Sequence, residues 1–171
     1  MSPEAVKGLW DRIKAEEKRA RAAERTRLGL PDETGGGVLA GVPAALPALT
    51  RALKLQAKAG KVGFDWNDVD AVLAKIVEEA GEIVEARRAG ADPAKVADEV
   101  GDLLFAAVNL ARHLDVDPED ALRGTNAKFE RRFGAIEAAL AAGGRTPREA
   151  SLEEMDALWN EAKRREKDGA D

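Results

Sequence analysis

The chain has 171 residues, of which 44% are hydrophobic and 35% are charged, and its formal net charge is -5. This length and composition predict a soluble globular protein with enough residues to bury a core. The absence of cysteine excludes disulfides and thiolate metal sites, and it fits a cytoplasmic location. No apolar run approaches the roughly 20 residues of a membrane span. The N-terminus lacks a signal-peptide core, and the acidic balance argues against non-specific nucleic-acid binding.

Residues 1–47 differ in composition from the rest of the chain. Residues 3–28 are rich in Lys, Arg and Glu, and their apolar residues lie in the first half. This pattern predicts a helix that is solvated toward its end, with a floppy charged extension as the alternative. Residues 29–47 contain five glycines and three prolines, which disfavour any regular element. We therefore expect an N-terminal helix and linker at 1–47 and a helical domain at 48–171.

Helical periodicity of the apolar residues continues through the remainder of the chain, and no strand-like alternation of useful length occurs. The pattern predicts an all-α fold. We expect five helices, at about 47–59, 67–89, 93–114, 118–140 and 152–167. The third of these is apolar on nearly every side, which predicts burial against its own domain on one side and against a second copy of the chain or the functional site on the other.

Two pairs of carboxylates occur on consecutive predicted helices, Glu79 with Glu82 and Glu99 with Asp102. Helical side chains three residues apart are neighbours, with Cβ atoms about 5–6 Å apart, so two such pairs can surround one volume. Helical phase places Glu78 on the outer side, away from these four. Clustered carboxylates need a cation, and oxygen ligands suit Mg²⁺ above all. Either pair taken alone is more typical of a solvated helix surface, and it is the occurrence of both pairs on consecutive helices that favours a metal site.

Gly81 lies in the middle of the second predicted helix. Glycine at such a position costs about 1 kcal/mol of stability relative to alanine. We expect the close approach of another helix or a ligand to be the reason for it.

Basic residues follow the acidic helices. Lys128, Arg131 and Arg132 form a cationic cluster on the fourth predicted helix. Arginine binds phosphate through two parallel hydrogen bonds, so this cluster is able to hold a phosphorylated substrate next to the metal. A solvated face is the alternative for the cluster, and core packing is the alternative for Trp159 on the last helix. The chain offers no other catalytic constellation, because it has one histidine, no cysteine and no Walker-type glycine loop.

The motifs Glu78-Glu79-x-x-Glu82 and Glu99-x-x-Asp102 resemble the metal-binding motif of the MazG nucleoside triphosphate pyrophosphohydrolases, members of the all-α NTP pyrophosphatase superfamily. The resemblance extends over almost the whole chain. Segments similar to the second, catalytic half of two-repeat MazG proteins occur at 61–66, 101–105, 108–114, 126–133 and 152–159. Segments near Trp10 and Gly41 are similar to the stretch that joins the two halves.

This resemblance implies hydrolysis of (d)NTPs to the monophosphate and pyrophosphate, by attack of water on the α-phosphorus, with Mg²⁺ as cofactor. It also implies a homodimer in which both protomers complete a helical bundle and form the sites. The metal-binding and catalytic residues it implies are Glu79, Glu82, Glu99 and Asp102. The substrate-binding residues it implies are Lys128, Arg131 and Arg132 for the phosphates, with Trp159 and Lys163 near the nucleotide.

Two questions stay open at the level of sequence. The competing function is a non-catalytic helical dimerisation module that retains the metal site. Longer members of the family carry a further repeat at their N-terminus, so this sequence is compatible with a single-repeat member or with half of a longer protein. The preferred base and the number of metal ions are not determined.

Overall fold

A computed structural model describes residues 8–9, 12–13, 15–17, 19–20, 23, 27, 37–66 and 68–168. The described positions between 8 and 27 are helical. Most of the predicted N-terminal helix and linker lies outside the described residues, so the division of the chain at residue 47 stays a prediction.

The described residues from 37 onward form five α-helices. They are α1 (Ala48–Gly60), α2 (Val69–Arg88), α3 (Pro93–His113), α4 (Pro118–Ala142) and α5 (Leu152–Asp168), with a short 3-10 helix at Pro147–Glu149 before α5. No strand occurs among the described residues. The prediction of an all-α fold is confirmed, and the five predicted helices end within about two residues of the observed bounds.

Aspartates begin three of the helices and explain why the predicted boundaries were close. The carboxylate of Asp68 accepts a hydrogen bond from the backbone of Ala71 at 2.7 Å, and the carboxylate of Asp92 accepts one from Ala94 at 2.8 Å. Asp117 accepts from two backbone N–H groups at the start of α4. A side chain that accepts from the first turn satisfies donors that have no partner within the helix.

The chain packs as two compact units, Met1–Leu114 and Asp115–Asp171. In the first unit, α3 packs against both α1 and α2. Its buried apolar side chains are small or β-branched: Val72, Ala86, Ala106 and Val108. Among the described residues of this unit, three polar side chains are buried with them, namely Gln56, Glu79 and Asn109. Buried polar groups normally have a hydrogen-bond partner. The surroundings of these three residues are therefore candidate functional sites.

In the second unit, α5 packs against α4, and the short 3-10 helix also contacts α4. The buried apolar side chains among the described residues of this unit are Pro118, Ile136 and Leu140 on α4 and Ala162 on α5. The core is small, and the rest of α4 is largely solvent-exposed.

Large apolar side chains remain exposed on the outer faces of α2 and α3. On α2 they are Leu73, Val77 and Val84, and on α3 they are Val100 and Leu104. Their spacings of four or seven residues place them along one side of each helix. Apolar stripes of this kind are typical of a surface that another protein surface covers.

The expectation for Gly81 is not met by any helix in the described part of the chain, and its alternative, the close approach of a ligand, stays a prediction. A Cβ atom placed on Gly81 would have no heavy atom within 4 Å beyond its own local backbone. No neighbouring helix of the described residues therefore requires glycine at this position. In the same part of the chain, no helix is both long and apolar enough to cross a membrane.

Candidate active site

Three carboxylates from α2 and α3 converge in the first unit. One oxygen of each of Glu79, Glu99 and Asp102 lies within 4.8 Å of the other two. Glu79 is buried, Glu99 is half-buried and Asp102 is exposed, so the cluster runs from the helix interface to the solvent. The i, i+3 spacing of Glu99 and Asp102 puts both on one face of α3, and the packing of α3 against α2 brings that face to Glu79.

Glu82 lies at the edge of this cluster and is exposed. Its pKa is raised above the ordinary value by partial desolvation, by the negative charges of Glu79 and Glu99, and by a hydrogen bond shared with Glu99. Like charges in one neighbourhood disfavour further ionisation. Glu82 therefore lies within the electrostatic influence of Glu79 and Glu99, and Glu79, Glu99 and Asp102 reach the mutual distance of metal ligands.

Glu79 is the most buried residue of the cluster, with a relative solvent exposure of 3%. Its Oε1 lies 2.5 Å from Nζ of Lys75, one turn earlier on α2, while its Oε2 has no hydrogen-bond partner among the described residues. Lys75 also contacts Glu78 at 3.0 Å. Hydrogen bonds to Glu79 and then to Glu78 raise the pKa of Lys75, so the ammonium stays charged. The side chain of Glu78 is 58% exposed, in agreement with the helical phase that placed it outside the cluster.

Sequence reasoning missed Lys75. The signal that identifies it is its i, i+4 spacing to Glu79, which puts both side chains on one helical face. A lysine before glutamate at this spacing is common on solvated helices, so the spacing alone does not indicate that one partner is buried.

The donor set of the cluster fits a hard divalent cation. All donors are carboxylate oxygens, which Mg²⁺ prefers. The unpartnered Oε2 of the buried Glu79 is a charged acceptor that calls for a cation or a donor. One ammonium from Lys75 does not balance the formal charge of three or four carboxylates.

The second unit contains all five predicted substrate-binding residues. Arg131 and Arg132 on α4 both donate to the carboxylate of Glu166 on α5, each through Nε at 2.8 Å. These hydrogen bonds, led by that from Arg132, lower the pKa of Glu166. Lys128 and Lys163 are exposed. The two arginines therefore each donate to one oxygen of the same carboxylate.

Trp159 takes part in the packing of α5 on α4. Its ring lies 5.4 Å from the ring of Phe129, and the guanidinium of Arg132 lies 5.4 Å from the centre of the indole. The side chain is half-buried. Trp159 thus packs in the core of the second unit and keeps part of its ring exposed to solvent. Sequence reasoning did not identify Glu166, which binds both arginines.

The described residues form an all-α fold with an acidic cluster that suits a divalent cation, and comparison with known proteins relates this fold and cluster to one domain family. Residues 67–134 match the MazG nucleotide pyrophosphohydrolase domain. The chain is 44% identical over 164 residues to the nucleoside triphosphate pyrophosphohydrolase of Escherichia coli strain K12, an alignment that covers 95% of this chain and 58% of that relative.

Two further relatives agree with this match. The nucleoside triphosphate pyrophosphohydrolase/pyrophosphatase MazG of Thermotoga maritima is 38% identical over 154 residues, covering 90% of this chain and 54% of the relative. The phosphoribosyl-ATP pyrophosphatase of Burkholderia cenocepacia is 43% identical over 68 residues, covering 38% of this chain and 53% of the relative.

The chain carries a MazG domain at residues 67–134, and the resemblance predicted from its motifs is confirmed. It spans 58% and 54% of the length of the Escherichia coli and Thermotoga maritima relatives. The matched domain at 67–134 includes the four acidic residues and the cationic cluster of α4. Trp159 and Lys163 lie beyond it.

Proposed function

We propose that this chain hydrolyses nucleoside triphosphates to the monophosphate and pyrophosphate, with Mg²⁺ as cofactor. The observation that carries the proposal is the convergence of Glu79, Glu99 and Asp102, with Glu82 beside them, inside a MazG domain. The names of the relatives, which are pyrophosphohydrolases, support the same reaction.

The acidic cluster would hold the metal through Glu79, Glu82, Glu99 and Asp102. Bound Mg²⁺ supplies positive charge that offsets the charge of the triphosphate in the transition state. A carboxylate of the cluster accepts the proton that the attacking water loses. Water attacks the α-phosphorus, the α–β phosphoanhydride bond breaks, and pyrophosphate leaves with the electron pair of that bond. Positioning and charge stabilisation account for most of such catalysis.

The basic residues of the second unit would bind the substrate. Lys128, Arg131 and Arg132 hold the phosphates, and Trp159 and Lys163 lie near the nucleotide. The bonds from both arginines to Glu166 support this role, because a carboxylate and a phosphate offer the same paired oxygen acceptors. A phosphate would have to displace Glu166 from at least one arginine.

The functional assembly would be a homodimer. The exposed apolar stripes on α2 and α3 support this, since monomeric soluble proteins rarely expose continuous apolar surface of this kind. We further propose that residues 1–47 form an N-terminal helix and linker attached to the catalytic domain at 48–171. The cysteine-free composition supports a cytoplasmic location, and no nucleic-acid or membrane partner is proposed.

Product analysis tests the proposed reaction. The purified chain is incubated with Mg²⁺ and a panel of NTPs, dNTPs, modified nucleotides and phosphoribosyl-ATP, and the products are separated by ion-exchange chromatography. We expect a monophosphate product together with pyrophosphate. Orthophosphate with a diphosphate product would contradict attack at the α-phosphorus. No turnover by a chain with native circular dichroism would favour the non-catalytic dimerisation module.

A further inference from the structure

An apolar cavity lies beside α1 in the first unit, and none of the four acidic residues lines it. Its volume is about 220 Å³. Most of its wall is apolar and comes from α1, α3 and the neighbouring segments: Leu39, Leu55, Ala59, Phe64, Trp66 and Phe105. The side chain of Phe64 is mostly exposed, and those of Leu39 and Trp66 are partly so. A cavity of this kind favours aliphatic side chains over charged groups.

α1 presents a row of side chains at this cavity, one helical turn apart. The row consists of Arg51, Leu55 and Ala59, and we call it the α1 row. Residues at this four-residue spacing form a ridge along one side of a helix, and such ridges pack against those of a second helix. All three residues are half-buried. Because Leu55 and Ala59 line the cavity, the row is apolar at the C-terminal end of α1 and cationic at the other.

The positive charge of α1 has no acidic counterpart on the same helix. Residues 48–64 contain no Asp or Glu, but they contain four cations, Arg51, Lys54, Lys58 and Lys61. Lys58 donates to the carbonyl oxygen of Ala40. Among the described residues, no hydrogen bond or ion pair holds the other three. A carboxylate supplied by another part of the chain would therefore offset charge that α1 itself leaves unpaired.

The N-terminal segment offers a complementary row. Leu9, Ile13 and Glu17 occupy helical positions with the same four-residue spacing, and we call them the N-terminal row. Leu9 and Ile13 are exposed, at 40% and 37%. Arg12 and Arg19 lie roughly 100° or more around the helix from Ile13. The N-terminal row is thus apolar at its start and acidic at its end, with the cations of the segment to its sides.

The two rows match when the helices are antiparallel. If Leu9 packs against Ala59, a step of one turn along each helix pairs the two middle residues, which are both aliphatic. The next step brings Glu17 to Arg51. Each step is about 6 Å on both helices, so the register is kept along the row. A parallel arrangement would instead place Glu17 at the apolar cavity, where an unpaired carboxylate is costly.

The covalent connection favours docking within one chain. Leu39, which belongs to the cavity wall, follows Glu17 by 22 residues. Such a stretch spans up to about 70 Å when extended and about 33 Å as a helix. α1 has 13 residues and is therefore about 20 Å long, so the connection reaches both of its ends. A tether of this length keeps the two rows at a high effective concentration, so a small contact area suffices.

We propose that the N-terminal row docks on the α1 row of the same chain, with Leu9 and Ile13 over the apolar cavity and Glu17 beside Arg51. The N-terminal segment then covers the cavity and adds a helix to the three helices of the first unit. The docking uses none of the acidic residues assigned to the metal, so the inference is independent of the proposed hydrolysis.

Disulfide trapping tests the docking directly, because the chain has no cysteine of its own. Leu9→Cys is combined with Ala59→Cys in the full chain. The matched control combines Gly8→Cys with Ala59→Cys, since position 8 is one residue and about 100° away on the helix. A disulfide needs Cα atoms within about 7 Å of each other. We expect the first pair to close within single chains, and about tenfold faster than the control under mild oxidation, as measured by non-reducing electrophoresis and peptide mass spectrometry.

Three results of the trapping experiment would overturn the inference. The first is an equal rate for the two cysteine pairs, which is the behaviour of a solvated segment. The second is no disulfide from either pair. The third is disulfides formed only between chains, which would mean that the N-terminal row docks on a second copy.

Charge exchange tests the polar end of the register. Glu17→Arg sets two cations side by side, Arg51→Glu sets two carboxylates side by side, and the double variant restores an opposite pair. We expect each single variant to lower the melting temperature by a few degrees and the double variant to recover at least about half of the summed loss. Glu17→Arg with Lys61→Glu is the control, because it makes the same change in charge outside the α1 row.

Strictly additive losses in the double variant, or an equal recovery in the control, would overturn the inference. This second test leaves Leu9 and Ile13 in place. It therefore still decides if Leu9→Cys weakens the docking that the first test sets out to trap.

Discussion

Nζ of Lys75 lies 2.5 Å from Oε1 of Glu79, so an ammonium contacts the buried carboxylate of the acidic cluster directly. The other oxygen of Glu79 has no partner among the described residues. The protein therefore offsets part of the charge of the cluster with its own cation and keeps one buried oxygen available for a second.

This contact predicts how Mg²⁺ affects stability. Lys75→Met leaves the carboxylate of Glu79 buried without its cation, and breaking a pair that contains a buried charge is destabilising. We expect the melting temperature of the variant to fall by a few degrees without Mg²⁺, and to rise more than that of the parent when Mg²⁺ is added. Differential scanning fluorimetry measures both. Glu78→Gln is the control, because it removes only the exposed partner of Lys75, and equal Mg²⁺-dependent shifts in all three proteins would argue against the prediction.

The contrast between adjacent glutamates gives the second prediction. Glu79→Gln keeps the size of a buried cluster member but removes its charge, and Glu78→Gln makes the same change on the outer side of α2. We expect Glu79→Gln to lower kcat about 100-fold or more, and Glu78→Gln to leave it within about threefold of the parent. Pyrophosphate release under saturating Mg²⁺ is the measurement. Similar losses from both substitutions would show that the inner and outer positions do not differ in function.

Glu166 gives the third prediction, because it binds the two arginines assigned to the phosphates. Glu166→Gln removes the competing negative charge, and we expect KM for the nucleoside triphosphate to fall about threefold. The pKa of Glu166 is lowered, first of all by Arg132, so the carboxylate is ionised throughout the neutral range and competes at every neutral pH. Glu161→Gln is the matched control, since Glu161 pairs with Arg165 within α5. A rise in KM for Glu166→Gln would mean that Glu166 instead holds the arginines in their binding positions.

Asp65 gives a prediction about pH. Partial burial alone would raise its pKa, but hydrogen bonds from Arg112 and His113 outweigh this effect and lower the pKa below 3.8. A lowered pKa in the folded state means that Asp65 stabilises the protein above its unfolded pKa, and that this stabilisation is lost as the pH falls through the lower folded value.

We therefore expect Asp65→Asn to reduce the free energy of unfolding by about 1 kcal/mol near neutral pH, and the difference from the parent to shrink below about pH 4. Urea unfolding at several pH values measures it. A difference that stays constant into the acid range would show that the charge of Asp65 is not the source of the stabilisation.

The exposed apolar stripes predict the oligomeric state. The side chain of Val77 is 72% exposed on α2, and Leu104 is exposed on α3. We expect the parent to have about twice the chain mass of 18.2 kDa by light scattering, and Val77→Glu and Leu104→Glu to shift it toward the monomer. Leu152→Glu, an equally exposed site at the start of α5, serves as the control. A monomeric parent would rule out the proposed dimer.

Local sequence was sufficient to predict the helices and to identify acidic residues that lie close together in the fold. Aspartate caps and 3.6-residue periodicity act within one or two turns, so the bounds of α2 and α3 and the separation of Glu79 from Glu78 could be read from the chain. The same spacing argument identified the pair Glu99 and Asp102, because neighbours on a helix do not depend on the rest of the fold.

Burial and hydrogen-bond partners depend on long-range packing. The packing of α3 against α2 buries Glu79 and leaves Glu82 exposed, and helical phase within α2 does not predict the extent of that burial. The bonds of Gln56 to Phe105 and of Asp65 to Arg112 join residues nearly fifty positions apart, and no periodicity predicts such pairs. The sequence by itself thus determined a helical protein with four suitably spaced carboxylates. Only the tertiary structure showed which carboxylate is buried against a lysine and which two amides are buried with one group each lacking a partner among the described residues, because burial and partner choice depend on where the helices meet.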